Sequence, residues 1–305
     1  MIKRNGLQLE DHIMQTVTIG IPSFNEINNM EALLNSIISG DNTDFEILEI
    51  IISDDSTDGT QAIVENFSKF NQKYKIRFFH HDSRRGAATA WNEIISHASG
   101  NIIVLYDADV IPERNCTKEL VSRISNNVGI CASNPKPIAG NGLVRSGSIF
   151  TSKWLESVRT KQLSQYTVMG RGLALRSNVA RKANIPPNII AIDLYLQNAI
   201  INMGYEVVYN PDAVVHFKPA STLEDFASQA IRASNGHRQI ASIYGKTKHR
   251  LDYRIAIYEG FGNAVKDPFG AASVLLCCLM IPYYRQRISD LNSSIWHTAA
   301  STKNT

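Results

Sequence analysis

Over its first 130 residues the chain alternates between short apolar runs and stretches of helical spacing, and few folds accommodate that rhythm. Thr16 to Ile21, Ile47 to Ile52, Ile76 to Phe79 and Ile102 to Tyr106 are mostly β-branched runs, each short enough for one buried strand. Between them, Ile27 to Ile38, Gly59 to Phe70, Ala87 to His97 and Glu113 to Ile124 place apolar residues three and four apart, as amphipathic helices do. A strand that is apolar on both faces must be covered on both sides. The alternation therefore predicts an α/β fold, with a mainly parallel twisted sheet flanked by helices. Ligands of such sheets bind at the C-terminal ends of the strands. The loops in question run from Pro22 to Asn28, Ser53 to Gly59, His80 to Gly86 and Asp107 to Pro112, and all four are dense in polar and charged residues.

Beyond Val128 the rhythm loosens. Gly140 to Gly147 reads as loop, Asp193 to Met203 as helix, Tyr205 to Tyr209 and Ala213 to Phe217 as short strands, and Leu223 to Tyr244 as a long amphipathic helix. The 305 residues divide into a main domain over 1–240 and a C-terminal helical extension over 241–305. Within the extension, Pro268 to Tyr284 carries no charge, and Arg285 and Arg287 follow it directly. That segment is short for a span of about 20 residues. It suits a short or tilted span, an interfacial helix with the arginines and Tyr283-Tyr284 at the membrane boundary, or a buried core helix. A net charge of +3 without a basic run argues against a nucleic-acid partner. The first 15 residues contain no apolar core of a signal peptide, and no Cys-x-x-Cys pair occurs. Both features predict a reducing, cytoplasmic location.

Three of the loops carry candidate chemistry. Asp107-Ala108-Asp109 follows an apolar strand directly, so two carboxylates separated by one small residue can face a single hard cation such as Mg²⁺ or Mn²⁺. Ser53-Asp54-Asp55-Ser56-Thr57-Asp58-Gly59-Thr60 mixes helix-capping residues with carboxylates able to accept from a base N–H. In Pro22-Ser23-Phe24-Asn25-Glu26 the proline ends the strand, leaving loop backbone and an aromatic ring available to a nucleobase.

The runs TVTIGIPSFNE, IIISDDSTDGT, RRGAATAWNEII and IIVLYDADV, in that order, resemble family 2 glycosyltransferases of the GT-A fold. The resemblance implies an inverting enzyme that moves a sugar from a nucleotide donor, with uridine the default base and guanosine an alternative, to a saccharide or polyprenyl-linked glycan. It implies a Rossmann-like nucleotide-sugar half over 16–130 and an acceptor half over 131–240. It places Pro22, Phe24 and Glu26 at the nucleobase, Arg84, Arg85 and Gly86 near base and diphosphate, and Asp107, Ala108 and Asp109 at the diphosphate, with Asp107 and Asp109 as metal ligands. The family's usual DDGSTDGT is altered here: Ser53 replaces the first aspartate and Asp55 the glycine, so Asp54 and Asp55 are both candidates for reading the base. Of the family's acidic pair opening a later helix, only Asp193 survives, as the candidate general base, with Ile192 beside it. His216 resembles a histidine that completes the metal shell in some relatives. Gly170-Arg171-Gly172 resembles a stretch beside the acceptor. Gln229 and Arg232 resemble part of the Q-x-x-R-W element of processive synthases, with Ala233 in place of the tryptophan, and otherwise read as the polar face of a helix.

Two alternatives remain at this point. A sugar-1-phosphate nucleotidyltransferase would carry a glycine-rich basic loop where Pro22-Ser23-Phe24-Asn25 stands. An inactive nucleotide-sugar-binding relative would have no need of Asp107, Asp109 and Asp193.

Overall fold

Two strands of the first half carry their side chains to two different cores, as a strand covered on both faces must. The computed structural model describes residues 14–161, 167–245, 253–287 and 300–303. Most of the N-terminal stretch read for a signal peptide, residues 1–13, lies outside them. The elements begin β1 (Gln15–Ser23), α1 (Met30–Ile38), β2 (Phe45–Asp54), α2 (Thr60–Phe70), β3 (Ile76–His80), α3 (Ala87–His97) and β4 (Ile102–Tyr106). Ile50, Ile52, Val104 and Tyr106 join one core with residues of α1 and α2. Ile51, Ile103 and Leu105 join a second core with α3. Gly20 permits the close approach on that second face: a Cβ there would lie 2.4 Å from Ile94 Cγ2.

The chain continues through β5 (Val110–Pro112), α4 (Cys116–Ser122), β6 (Val128–Pro137), α5 (Leu143–Lys161), β7 (Gly172–Arg176), α6 (Ser177–Ala183), α7 (Ile192–Asn202), β8 (Glu206–Phe217) and α8 (Leu223–Tyr244). It ends in α9 (Tyr253–Lys266), α10 (Pro268–Arg287) and α11 (Ala300–Lys303). One eight-stranded sheet runs β3-β2-β1-β4-β7-β6-β8-β5. β1, β2, β3 and β4 pair in parallel. Antiparallel pairs enter only with the second half, at β4–β7, β6–β7 and β5–β8.

Three readings change. Gly147, expected in a loop, lies inside the 19-residue α5. Its missing side chain lets α10 pack closely, since a Cβ there would lie 3.2 Å from Val274 N. The two short strands expected at 205–217 are one continuous β8 of 12 residues. The Gly170-Arg171-Gly172 stretch, which lacks an evident strand in the sequence, leads straight into β7. The glycines there precede the strand, the reverse of a dinucleotide-binding turn.

Candidate active site

The pairing register builds the floor of the site. β4 ends at Tyr106 and β7 begins opposite it at Gly172. Arg171 is thereby set beside Asp107, whose N–H donates to the Arg171 carbonyl at 3.4 Å. Asp107, Ala108 and Asp109 line a pocket with Pro22, Phe24 and Glu26 from the end of β1. Asp55, Arg84 and Gly86 line its other wall. All these residues come from ends of parallel strands, where the sheet topology predicts a ligand.

The structure separates the two neighbouring aspartates. Asp54, the last residue of β2, is completely buried and points away from the pocket. His80 Nδ1 lies 2.9 Å from its Oδ2, and the Ser56 hydroxyl and N–H donate to it. Asp55 turns the other way and lines the pocket. Its Oδ2 accepts from Arg85 N at 2.7 Å and Gly86 N at 3.3 Å, and its Oδ1 from Arg85 Nε at 3.2 Å.

Of the basic pair, Arg84 faces the pocket and its guanidinium stacks 3.9 Å from the centre of the Phe24 ring. Arg85 is turned inward, where Glu93, Ser53 and Asp55 accept from it. Burial works against a charged Glu93, yet the bonds from Arg85, Ser53 and His81 hold its pKa down at about 2. Gly86 adopts φ 87° and ψ 160°, which is open only to glycine, as it starts α3.

A second chamber adjoins the first. Asp193, in the first turn of α7, lines it with Met169, Gly170 and His237. Trp91, Asp107, Arg171, Gln229 and Arg232 line both chambers, so the two communicate over Asp107. Asp193 Oδ2 accepts from Gly170 N at 3.2 Å and Oδ1 from Leu194 N at 2.8 Å. Burial nevertheless raises its pKa above the usual carboxylate range. The preceding turn is braced by α8, whose Gln239 accepts from Ile190 N and donates to the Asn188 carbonyl.

Asp107 and Asp109 suit a divalent cation. Burial, and then the charge of Asp109, push the Asp107 pKa strongly upward. Two crowded carboxylates of this kind are relieved by a bound cation. Among the described residues no three His, Cys, Asp or Glu side chains converge as a metal site. His216 therefore does not join the pair. It stands opposite Ile111 in the β5–β8 ladder, with Nε2 2.7 Å from Glu113 Oε1.

Trp91 carried no signal of its own in the sequence, because in the helical pattern it is one more apolar residue of α3. Gln229 and Arg232 lie three apart on α8, and only packing reveals that this polar face lines the site.

A parallel half-sheet whose strand ends hold a paired-carboxylate turn, continued by the mixed strands β7, β6, β8 and β5, has the architecture of a GT-A glycosyltransferase. The profile described as "Glycosyl transferase family 2" matches residues 18–181, and the chain belongs to that family. Glycosyltransferase AglE of Haloferax volcanii is 25% identical over 258 residues, spanning 83% of this chain and 82% of that one. The UDP-Glc:alpha-D-GlcNAc-diphosphoundecaprenol beta-1,3-glucosyltransferase WfgD of Escherichia coli is 30% identical over 129 residues, 42% of this chain and 49% of that protein. The mannosyltransferase PcManGT of Pyrobaculum calidifontis, solved with GDP-Man and Mn²⁺, shares the fold. It aligns with a TM-score of 0.62 at 20% identity, covering 92% of this chain and 85% of that one. The chain is thus a glycosyltransferase, which removes the nucleotidyltransferase alternative.

Proposed function

We propose that this enzyme transfers a sugar, with inversion, from a nucleoside diphosphate donor to a hydroxyl of a lipid-linked glycan at the cytoplasmic face of a membrane. The observation that carries the reading is the shared wall at Asp107: a pocket holding the Asp107–Asp109 pair opens onto a chamber holding Asp193. One chamber suits a donor and the other an acceptor, with the reacting atoms meeting between them.

In this scheme the stacked Phe24 and Arg84 form one wall of the base site, and Asp55 keeps the Arg85–Gly86 backbone in place beside the diphosphate. Asp107 and Asp109 hold a divalent cation, which when bound neutralises charge on the departing diphosphate. Arg171 and Arg232 add fixed positive charge at the same wall. Asp193 takes the proton from the acceptor hydroxyl, whose oxygen forms a bond to the anomeric carbon as the bond to the diphosphate oxygen breaks on the opposite face. The buried setting of Asp193 supports this role, since it raises the carboxylate's basicity. PcManGT, solved with GDP-Man and Mn²⁺, supports a metal-bound nucleotide sugar. WfgD, named for a diphosphoundecaprenol acceptor, supports the lipid-linked class.

The test is release of nucleoside diphosphate from UDP-, GDP- and dTDP-sugars with Mn²⁺, with Asp109→Ala run in parallel. Release from one donor class, lost with the substitution and with chelator, is the expected outcome. No release and no metal-dependent nucleotide binding would leave an inactive relative.

A further inference from the structure

α10 is apolar on every side, yet only one edge of it is buried. Gly270, Ser273 and Cys277 pack inward, while Phe269, Leu275 and Leu279 are 63%, 67% and 74% exposed. α9 repeats the pattern, with Ile257, Tyr258 and Phe261 70%, 75% and 73% exposed on one side. Both helices pack against α5 and against each other, so both exposed faces look away from α5. The attachment is specific: Trp154 Nε1 donates to the Ala256 carbonyl at 2.8 Å, and Asn263 Nδ2 to Ser157 Oγ at 3.0 Å. An apolar surface of this extent marks an interaction site.

The charges say what covers it. The two helices carry exposed cations at Lys266, Arg285 and Arg287. Their acids are turned to other work. Glu259 pairs with Lys161 at 4.0 Å, and Asp267 Oδ1 accepts from Gly270 N at 2.8 Å. A second copy of this chain would bring the same cations together, whereas anionic lipid headgroups complement them.

We infer that α9 and α10 together form an interfacial platform that lies in the plane of an anionic bilayer without crossing it, beside the acceptor chamber. The inference rests on the lipid-linked acceptor class proposed above and adds the surface and its orientation. α10 has the length and composition to cross, with 20 residues against a hydrocarbon core of about 30 Å. Crossing is opposed by the partner helix, because α5 packs against α10 and would carry Lys153, Glu156 and Arg159 into hydrocarbon with it. The connection to chemistry runs through α5: Trp154 is clamped under α9, and the next residue, Leu155, lines the chamber of Asp193. A polyprenyl chain resting among α9 and α10 would thus present its diphosphate-linked sugar towards Asp193.

The test is co-sedimentation of the full chain with vesicles of phosphatidylcholine alone or mixed with phosphatidylglycerol. Cys278, the exposed cysteine among three buried ones, carries an environment-sensitive fluorophore. Expected are binding to the anionic vesicles with a blue shift at Cys278, release by alkaline carbonate, and about tenfold weaker binding for Phe261→Glu or Leu279→Glu. Charge reversal at Arg285 and Arg287 should weaken binding and flatten its salt dependence. Donor hydrolysis in the absence of vesicles should be unchanged in all these variants, which also reports that they fold. No vesicle binding, binding indifferent to the substitutions, resistance to carbonate, or a dimer abolished by Leu279→Glu would each overturn the inference. Loss of donor hydrolysis in the unaltered chain would instead strike the proposed reaction and leave vesicle binding standing.

Discussion

Asp54 and Asp55 leave β2 in opposite directions because successive residues of an extended chain face opposite sides. The difference should separate their variants. Asp54→Asn disturbs the pairing of a fully buried carboxylate with the partly exposed His80 and is expected to cost about 1–3 kcal/mol in thermal unfolding. Asp55→Asn is expected to leave stability nearer wild type and to raise the donor KM about tenfold, because the Arg85–Gly86 backbone is loosened at the pocket wall. Asp193→Asn should lower kcat by about two to four orders of magnitude with little change in nucleotide affinity. Its pH profile provides a sharper check. A base must be deprotonated to act, and burial raises this pKa, so wild-type kcat should rise with pH through a value above the usual carboxylate range. That acidic limb should be absent from the residual activity of the variant.

At the scale of elements, helices position the site by close contact. A Cβ on Gly236 of α8 would lie 2.7 Å from Ala191 Cβ, in the turn that introduces Asp193. Gly236→Ala is therefore expected to cost about 1–2 kcal/mol and to lower kcat about tenfold, with nucleotide binding retained. Stability assays and nucleotide titration on one preparation separate the two effects. The corner of β2, β3 and α3 is joined by Glu93 to Arg85, Ser53 and His81. Its folded-state pKa of about 2 lies below the ordinary glutamate value of 4.5, so its stabilisation is complete above 4.5 and is lost as pH falls towards 2. Glu93→Gln should remove about 2 kcal/mol at neutral pH and flatten unfolding free energy against pH across that window. Acid titrations followed by tryptophan fluorescence would register it.

For the whole molecule, the site draws on β1, β2, β4, β7, α3, α7 and α8, which one sheet and its two covering layers hold together. A ligand that binds only the folded arrangement stabilises all of it. Nucleoside diphosphate with Mn²⁺ at a hundredfold its Kd should add about 2.7 kcal/mol, or about 5 °C in Tm. Chelator or Asp109→Ala should abolish the shift, and a shift that persists without metal would count against a cation held by this pair.

Local signals decided the first half. The central parallel strands β2 and β4 are nearly continuous apolar runs because both of their faces are buried, and each helix shows its stripe because one side meets the sheet. Strand ends and the loops that carry Asp107, Asp109, Phe24 and Arg84 were legible for that reason. The second half depends on pairings between distant segments, and antiparallel strands such as β6 and β7 gave no run that sequence reading recognised. α5 was hidden by a glycine that is there for helix contact, and its role appears only when α10 lies against it. The burial of Asp54 and the pocket-lining position of Asp55, the inward turn of Arg85, the engagement of His216 with Glu113, and the place of Trp91, Gln229 and Arg232 in the pocket walls are likewise tertiary facts. Residue type and spacing state what a side chain can do; which way it points is set by register and packing, and these are fixed only when remote parts of the chain meet.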